Sequence, residues 1–405
     1  MVMNESFLSK LKRIRIADIG HLFLFLFALL PAMIYKLFRK HLWLLCEYSL
    51  EAQDNAFALF CYLRRNQPQV DAVYAISKRS PLRNKVTSVG PVVAYGSFSH
   101  WIYYLAAEVN ISSQKGGKPN AAVCYLFEVV LGWLKNKRVF LQHGVAKDDM
   151  PFLHYDKAKL SLFCCAALPE YTFIRNTFGY PEGVVQHLGL CRFDSLHDTT
   201  PDPDLIILMP TWRMRIQREC KSDCEFRQSQ YFTAWNSLLN NAELDRLLKK
   251  YGKRAVFCVH RNMSQFEAVF STQSRQIMIR KWTDLSIPSI LKQASVLITD
   301  YSSVFMDFAY MKKPTVYYQF DADTFRKEHL PTGYFDYTRD AFGPVVGSEQ
   351  DVIAELERII LNNCCVEDKY LNRINSFFTI NDSRNSERTY LAINTLLNKP
   401  LVDDN

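Results

Sequence analysis

Polar and titratable residues follow four apolar runs of this chain, each at the point where a short strand is predicted to end. His143, His260 and Asp300 follow three of these runs, and Pro210-Thr211 follows the fourth. In an open α/β sheet, ligands bind beyond the carboxyl ends of the strands. The four positions therefore predict one ligand-binding cleft, and together they carry more weight than any one of them alone.

His143 is the residue of this set best suited to proton transfer. It precedes Gly144, which permits a tight turn and a close approach to a ligand. An imidazole titrates near neutral pH and can serve as a general base. The alternative is a histidine satisfied by nearby backbone groups. His260 carries the same ambiguity, because an imidazolium there would stabilise a diphosphate and a neutral ring could also hydrogen-bond one.

A helix is predicted to begin at Ser302-Ser303, directly after a predicted strand. Two hydroxyls and free backbone N–H groups at a helix N-terminus form a natural phosphate site. Ordinary capping by Ser302 is the alternative, and it needs no ligand. Asp307 either faces solvent or meets a ligand hydroxyl. Arg192 could pair bidentately with a phosphate or simply with Asp194.

Short apolar runs alternate with longer helix-like segments after residue 40, and this alternation predicts parallel sheets covered by helices on both faces. The predicted strands of the first series are Leu42–Cys46, Ala72–Ser77, Pro91–Tyr95, Glu108–Ser112, Arg138–Gln142 and Val184–Leu188. Those of the second series are Leu205–Met209, Ala255–Val259, Val296–Thr299 and Thr315–Tyr318. Amphipathic helices are predicted at Trp235–Tyr251 and Asp351–Asn362.

The polar segment Asp198–Asp204 contains two prolines and separates the two series, so it is predicted to be an interdomain linker. Two doubly wound halves of similar size, joined near the middle, form the architecture of GT-B glycosyltransferases. We therefore expect two Rossmann-like domains, residues 42–197 and 205–395, that face a central cleft. Residues 1–41 form a separate N-terminal segment.

Basic residues flank a short apolar run near the N-terminus, which extends from Leu22 to Tyr35 and contains Pro31. The flanking cations are Lys10, Lys12, Arg13, Arg15, Lys36, Arg39 and Lys40. The fourteen residues of the run are fewer than the roughly 20 that a transmembrane helix needs. The pattern favours a helix lying in the anionic inner leaflet, with a buried core helix and a true transmembrane span as alternatives.

The composition suits a two-domain protein, with 405 residues, 48% hydrophobic residues and a formal net charge of +8. This charge fits anionic lipid or a phosphorylated substrate, and because no RNA-module signature is present we expect no nucleic-acid partner. The eleven cysteines lack zinc-ligand spacing, so a reducing cytosol is expected. We expect no cofactor and no metal, and interpret Asp148-Asp149 as solvated carboxylates.

Ordered motifs along the chain resemble those of the CDP-glycerol glycerophosphotransferase family, which comprises teichoic-acid polymerases, primases and their capsule relatives. Asp300–Asp307 with Lys313-Pro314 resembles the family's most specific block, and Pro210–Arg213 resembles its Pro-Thr-Trp-Arg. The other matching blocks are Gly333–Tyr337 with Gly343-Pro344, Glu47 with Ala52, Asp54 and Asn55, and Ser386–Arg388. Departures from the family's pattern occur at Gln142, Val145-Ala146, Cys191 and Arg261.

The resemblance implies a GT-B fold and a phosphotransferase for substituted phosphate groups, with an acceptor-binding first domain and a donor-binding second domain. The donor would be CDP-glycerol or CDP-ribitol. The acceptor would be a lipid-linked teichoic acid or capsular polymer at the cytoplasmic face of the cell membrane. His143 resembles the family's catalytic histidine. The residues implied for the CDP-polyol site are Gly144, Val145, Ala146, Lys147, Arg192, Pro210, Thr211, His260, Ser302, Ser303 and Asp307.

We expect His143 and His260 to be the catalytic residues. An acceptor hydroxyl would attack the β-phosphorus of the donor, His143 would take its proton, and CMP would leave. His260, Arg192 and the helix at Ser302 would hold the diphosphate. One alternative is a GT-B glycosyltransferase that moves a sugar from a nucleotide. Another is a non-catalytic membrane- or nucleic-acid-binding protein, which would leave the strand-end residues unexplained.

Overall fold

The computed structural model of the protein describes residues 15–328 and 331–398. Two parallel β-sheets flanked by helices make up the fold, so the predicted α/β class with two doubly wound halves is confirmed. Of the basic residues predicted to flank the apolar run, Lys10, Lys12 and Arg13 lie outside the described residues.

The first sheet consists of seven strands: β1 (Leu42–Cys46), β2 (Asp71–Ile76), β3 (Val92–Ala94), β4 (Val109–Ser112), β5 (Lys137–Phe140), β6 (Leu162–Cys165) and β7 (Val185–His187). They are parallel and lie in the order β3-β2-β1-β4-β5-β6-β7. The direction of strand addition reverses between β1 and β4. Such a switch point opens a crevice at the carboxyl ends of the strands, where α/β sheets bind ligands.

The second sheet consists of six strands: β8 (Asp202–Met209), β9 (Arg254–Phe257), β10 (Ile277–Ile279), β11 (Ala294–Thr299), β12 (Thr315–Tyr318) and β13 (Val345–Val346). They are parallel in the order β10-β9-β8-β11-β12-β13, with a switch point between β8 and β11. The loops after these two strands hold Pro210-Thr211 and Ser302-Ser303. Topology alone therefore brings the two predicted segments to one crevice.

Helices cover both sheets, as expected for buried parallel strands. Those of the first half are α1 (Ile16–Phe38), α2 (Asn55–Asn66), α3 (Arg83–Thr87), α4 (Phe98–Ala106), α5 (Ala121–Tyr125), α6 (Tyr155–Ala158) and α7 (Leu168–Thr177). Those that follow β8 are α8 (Met214–Glu219), α9 (Asp223–Arg227), α10 (Gln230–Leu239), α11 (Ala242–Lys250), α12 (Ile287–Gln293), α13 (Val304–Tyr310), α14 (Ala322–Glu328), α15 (Tyr337–Asp340), α16 (Glu349–Leu361), α17 (Asp368–Phe377) and α18 (Asn385–Asn398). A π-helical turn covers Leu126–Val130, and 3-10 turns cover Pro151–Leu153, Cys191–Leu196, Arg261–Val269 and Trp282–Asp284.

Some predicted elements differ from the structure. Strands β6, β10 and β13 were not predicted, and the single helix predicted for Trp235–Tyr251 is two helices, α10 and α11. Asn241 separates them, because its side chain accepts hydrogen bonds from the backbone N–H groups of Glu243 and Leu244 and so caps α11.

Several predicted boundaries also move, and three of these changes concern the linker or the loops of the cleft. The strand predicted for Arg138–Gln142 ends at Phe140, and the linker predicted for Asp198–Asp204 is shorter because β8 begins at Asp202. The helix predicted to begin at Ser302 begins at Val304. The loop before it is therefore two residues longer than expected, and both serines belong to that loop.

Helix α1 has 23 residues and is therefore long enough to cross a membrane. The prediction that this segment is too short for a membrane span, which was based on the fourteen residues of its apolar run, is wrong. By length and composition, it is the one helix among residues 15–328 and 331–398 that could cross a membrane. One face packs into the first half, where the Phe25 ring lies 5.4 Å from that of Trp101 and 4.1 Å from that of Phe127. The other face exposes apolar residues, including Phe27 and Leu30.

The last helix returns to the first half of the molecule. Ile393 of α18 lies in the same apolar cluster as Leu45 of β1 and Phe60 of α2. The Tyr390 ring lies 6.0 Å from that of Trp43. Residues 385–398 therefore pack on the first sheet although they follow the second sheet in the chain.

Candidate active site

The turn after β5 is held by a buried carboxylate that the sequence reasoning missed. Glu170 is fully buried and accepts hydrogen bonds from Gln142 Nε2 at 2.9 Å and from the Ala146 backbone N–H at 2.5 Å. Gln142 has a φ of 63°, in the left-handed region. Gln142, which departs from the family pattern, thus helps to hold a strained turn, and His143 is the next residue of that turn.

His143 is paired with Asp54 from the loop after β1. Its Nδ1 lies 2.6 Å from Asp54 Oδ2, and Gln114 Nε2 lies 3.0 Å from the same ring nitrogen. A carboxylate partner keeps the proton on Nδ1, which leaves the lone pair on Nε2. Because the His143 side chain is 70% exposed, that nitrogen can meet a ligand in the cleft.

The environment of His143 favours its protonated form. Partial burial acts to lower the pKa of the imidazole, but the hydrogen bond and the negative charge of Asp54 outweigh this, so the pKa is raised above its ordinary value. A base whose pKa lies near the working pH is an efficient proton acceptor. Asp54 belongs to a segment matched by resemblance, but sequence reasoning gave it no role.

Arg192 joins the two halves of the molecule across the cleft. Its guanidinium donates to Asp54 Oδ1 at 2.9 Å and to both carboxylate oxygens of Asp307 at 2.7 and 3.0 Å. It also donates to the backbone carbonyl of His143 at 2.6 Å. The alternative pairing with Asp194 is wrong, because Asp194 instead accepts from the backbone N–H groups that open α18.

Asp307 is not a solvated helix residue but a buried carboxylate in the wall of the cleft. Burial raises its pKa, and the charge of Arg192 opposes that effect. Because Arg192 is already bonded to two carboxylates and one carbonyl, most of its donors are engaged within the protein. Its geometry favours holding Asp54 and Asp307 in place over binding a phosphate directly.

His260 follows β9 and faces the same cleft. Its Nδ1 accepts a hydrogen bond from the backbone N–H of Asn262 at 3.2 Å, which leaves the proton on Nε2. Burial lowers the pKa of His260 to about 4, and the charge of Arg261 adds to the effect. Of the two forms left open by the sequence, the neutral ring with a donating Nε2–H is favoured near neutral pH.

The serine loop after β11 lies against the His143 turn. A Cβ placed on Gly144 would be 3.7 Å from Ser303 Oγ, so backbone from the first half closely approaches the second. Ser303 occupies the N-cap position of α13 but makes no side-chain capping hydrogen bond. Ser302, whose capping of this helix was the alternative to phosphate binding, precedes the N-cap position, so Ser302 is not the cap.

Pro210 lines the cleft, whereas Thr211 is held behind it. The Thr211 backbone N–H donates to Asp300 Oδ1 at 2.7 Å, and Asp300 Oδ2 accepts from Arg213 at 2.8 Å. Arg213 also bonds Asp321, so a buried ion network ties the loop after β8 to the loop after β11. Sequence reasoning assigned no role to this arginine.

Three further residues implied for donor binding, Val145, Ala146 and Lys147, also lie away from the cleft wall. Val145 and Ala146 are buried in apolar clusters. Lys147 pairs with Asp148 at 2.5 Å, and its backbone packs against Gly333, where a Cβ would come 2.4 Å from the Lys147 carbonyl oxygen. Val145 and Lys147 therefore contribute to the contact between the two halves, whereas Ala146 packs within the first half.

The cleft has a volume of about 530 Å³ and is lined from both halves. The predicted residues that it brings together are His143, Arg192, Pro210, His260, Ser302, Ser303 and Asp307. Glu47, Glu51 and Asp54, which follow β1, complete the wall of the first half. Their position after β1, a strand at the switch point of the sheet, was the signal from which they could have been found.

The acidic pair Asp148-Asp149 is not solvated as predicted. Asp148 is paired with Lys147, and Asp149 lies 2.7 Å from His154 Nε2, with both carboxylates about 30% exposed. Among residues 15–328 and 331–398, no group of three or more His, Cys, Asp or Glu side chains is arranged to hold a metal ion.

Comparison with known sequences points to one family. The family described as CDP-Glycerol:Poly(glycerophosphate) glycerophosphotransferase matches residues 29–395. The minor teichoic acid biosynthesis protein GgaB of Bacillus subtilis is 29% identical over 394 residues, which are 93% of this chain and 42% of that protein. A teichoic acid glycerol-phosphate transferase of Staphylococcus aureus is 35% identical over 81 residues, 20% of each chain. The chain thus spans less than half the length of its Bacillus subtilis relative.

Comparison with solved structures identifies the fold. The wall teichoic acid polymerase TagF superposes with a TM-score of 0.63 at 16% identity, over 94% of this chain and 97% of that one. A TagF variant soaked with CDPG superposes with a TM-score of 0.63 at 14% identity, over 88% and 89%. Staphylococcus aureus MnaA with UDP gives a TM-score of 0.55 at 11% identity, over 88% and 96%. The expected GT-B fold is confirmed.

Proposed function

We propose a function for this chain from the premise that it belongs to the CDP-Glycerol:Poly(glycerophosphate) glycerophosphotransferase family. It transfers glycerol phosphate or ribitol phosphate from a CDP-activated donor to a lipid-linked teichoic acid or capsular acceptor. The observation that carries this proposal is the His143–Asp54 pair in a cleft whose other wall holds His260 and Ser303. A base opposite hydrogen-bond donors suits attack on a diphosphate.

The transfer step is a displacement at the β-phosphorus of the CDP-polyol. A hydroxyl oxygen of the acceptor forms the new P–O bond while the bond from that phosphorus to the bridging oxygen of CMP breaks. His143 Nε2 takes the hydroxyl proton, and Asp54 stabilises the imidazolium that results. General-base catalysis of this kind contributes roughly 10²–10⁴-fold in rate.

The second half of the molecule supplies the donor site in this mechanism. The neutral His260 donates from Nε2 to a diphosphate oxygen, and the hydroxyls of Ser302 and Ser303 and the backbone of their loop add further donors. Stabilising the charge on departing CMP in this way lowers the barrier. Arg192 acts as a positioning residue, because its bonds to Asp54 and Asp307 hold the base assembly of the first half against the donor loop.

We also propose that the protein works at the cytoplasmic face of the cell membrane as a peripheral protein. Helix α1 is docked along one side by Phe25, Ala28 and Ala32, which favours a helix lying on the bilayer over one that leaves the domain to cross it. Its exposed apolar face then meets lipid, and the exposed Lys36 and Lys40 suit anionic headgroups.

The test is release of CMP by the purified protein from CDP-glycerol and from CDP-ribitol, each with a lipid-linked acceptor. We expect release from one of them and loss of turnover in His143→Ala, with circular dichroism and the unfolding midpoint close to those of the wild type. A variant that retains turnover within a few-fold would remove His143 from the mechanism. Release of UDP from a UDP-sugar, without release of CMP, would support the nucleotide-sugar alternative.

A further inference from the structure

Helix α2 begins directly beside the candidate base, at the switch point of the first sheet. Asp54 occupies its N-cap position, and Asn55 is its first helical residue. The backbone N–H groups at the start of a helix have no partner within the helix and must find one elsewhere. The partners that they find here decide how much of the Asp54 carboxylate is left for His143.

The Asp54 side chain does little of the capping that its position predicts. An aspartate at the N-cap ordinarily accepts from the backbone N–H of the second or third helical residue, which here are Ala56 and Phe57. Its Oδ1 instead accepts from the adjacent N–H of Asn55 at 2.8 Å. Its Oδ2 is therefore left for His143 Nδ1, which lies 2.6 Å away.

Two other side chains cap the helix in place of Asp54. Ser113 Oγ accepts from the Ala56 N–H at 2.7 Å. Glu47 Oε1 accepts from the Phe57 N–H at 2.9 Å and from the Asp54 N–H at 3.0 Å. Together with the Oδ1 bond described above, each of the four N–H groups that open α2 then has a partner.

The two capping residues come from the two strands at the switch point. Glu47 is the first residue after β1, and Ser113 is the first residue after β4. Both are fully buried, so water cannot take the place of either acceptor. Glu47 Oε2 also accepts from the Gln53 N–H at 3.0 Å. One carboxylate therefore holds both the loop that carries Asp54 and the first turn of the helix after it.

We propose that Ser113 and Glu47 are positioning residues of the transferase, which cap α2 so that the Asp54 carboxylate can face His143. The inference rests on the proposed function, because the His143–Asp54 pair is the base of that mechanism. Without either acceptor, an unpaired N–H group of the helix competes for the Asp54 carboxylate, since a buried donor needs a partner. The ring then loses part of the contact that keeps its proton on Nδ1.

Ser113→Ala removes one of the two caps with little change in volume. We expect kcat for CMP release to fall by about tenfold or more and the KM for the CDP-polyol to stay within about twofold of the wild type. The KM is retained because His260 and the serine loop, on the opposite wall of the cleft, are untouched. Glu47→Gln replaces one accepting oxygen by an amide donor and is expected to act in the same direction.

The control is Ser97→Ala, which is the same change at another capping serine. Ser97 Oγ accepts from the backbone N–H of His100 in the first turn of α4, at 3.1 Å. Its loss is expected to lower the unfolding midpoint, as Ser113→Ala also does, but to leave kcat unchanged. A fall in kcat of equal size in Ser97→Ala would make the capping a matter of stability alone and overturn the inference.

A measurement without turnover separates this inference from the proposed function. The nitrogen NMR shifts of a histidine ring report which nitrogen carries the proton, and the His143 signals are assigned by their loss in His143→Ala. In substrate-free protein, at a pH where this ring is neutral, we expect the proton on Nδ1 in the wild type and in Ser97→Ala. A larger fraction protonated on Nε2 is expected in Ser113→Ala and in Glu47→Gln.

Wild-type ring protonation and wild-type kcat in both Ser113→Ala and Glu47→Gln would overturn the assignment of the two positioning residues. A shift of the proton to Nε2 in these variants, in a protein that releases no CMP from either donor even as the wild type, would overturn the transferase. It would still keep Ser113 and Glu47 as the residues that hold Asp54 against His143.

Discussion

At the scale of single residues, the contact between His143 and Asp54 determines the protonation of the proposed base. The carboxylate fixes the tautomer of the ring and raises its pKa, while Gln142 and Glu170 hold the turn beneath it. The proposed base and its carboxylate partner come from loops after different strands, β5 and β1. A motif read along the chain cannot join them, which is why the sequence indicated His143 but gave Asp54 no role.

Asp54→Asn is expected to lower kcat by roughly 10²–10⁴-fold and to move the acidic limb of the pH–rate profile to lower pH. The general base must be neutral, so wild-type activity is lost as the pH falls through the raised pKa of His143. Without the Asp54 charge that pKa falls, and the loss of activity begins at lower pH. The measurement is kcat for CMP release across the pH range in which an imidazole titrates.

Asp149→Asn provides the control, because it removes a carboxylate 2.7 Å from a different histidine, His154, outside the cleft. Its pH profile is expected to match that of the wild type. An acidic limb that stays in place in Asp54→Asn would mean that another group is titrating.

His260→Phe is expected to lower kcat/KM for the CDP-polyol by about tenfold or more without moving the acidic limb. The pKa of His260 is about 4, so the ring loses no proton in the range where His143 titrates. Phe keeps the ring packed beside Trp212 and Trp282 but removes the Nε2–H donor. His260→Gln, which restores a donor, is expected to recover part of the loss, and a shifted limb in either variant would contradict the neutral assignment.

At the scale of elements, the loops after β8 and β11 are joined by Arg213. It bonds Asp300 and Asp321, and Asp300 is fully buried. A buried carboxylate tolerates its site only while it is paired. Asp300, the first residue of the most specific family block, therefore makes structural contacts. Because these contacts hold Asp300 in place, Ser302 and Ser303 are positioned at the cleft.

Arg213→Met is expected to lower the free energy of unfolding by about 3–5 kcal/mol, because it leaves Asp300 charged and unpaired in the interior. Urea denaturation measures the change. Arg215→Met, at a side chain that is 59% exposed, should stay within about 0.5 kcal/mol of the wild type. Equal effects of the two substitutions would show that the buried network adds nothing to stability.

Strand prediction succeeded where an apolar run was isolated and failed where it was not. β12 (Thr315–Tyr318) was predicted with its observed bounds, because polar and turn residues enclose it. β6 (Leu162–Cys165) is buried at every residue and continues into the apolar residues Ala166 and Ala167. Periodicity cannot separate such a buried strand from its surroundings. The missed strand lies between β5 and β7, so the width of the first sheet was underestimated.

At the scale of the whole molecule, the exposed face of α1 is the largest departure from an ordinary soluble surface. Its side chains Phe27, Leu30 and Met33 are 71%, 66% and 68% exposed. The apolar run and its flanking cations could be predicted from the sequence, but the docked face could not, because it depends on Trp101 and Phe127 far along the chain. Deleting the helix would therefore also uncover the core of the first half.

The triple substitution Phe27→Ser, Leu30→Ser and Met33→Ser is expected to reduce the vesicle-bound fraction by about tenfold or more, because apolar area buried in the lipid interface drives this binding. Flotation with phosphatidylglycerol vesicles measures it. Leu361→Ser with Leu391→Ser is the control, since these residues are 65% and 53% exposed on other helices. Binding that survives the triple substitution would place the membrane contact elsewhere.

Because α18 packs on the first sheet, its position limits how the two halves can move apart. The chain crosses between the two halves twice, first through residues 188–201 and again through residues 378–384. Asp194 in the first crossing accepts hydrogen bonds from the backbone N–H groups of Asn385 and Ser386, at 2.7 and 2.9 Å, where the second crossing ends. Because the two connecting segments are hydrogen-bonded to each other at Asp194, they are expected to act as a single hinge between the two halves. Relative motion of the two halves is then expected to be a rotation about this point, which keeps the two halves in register.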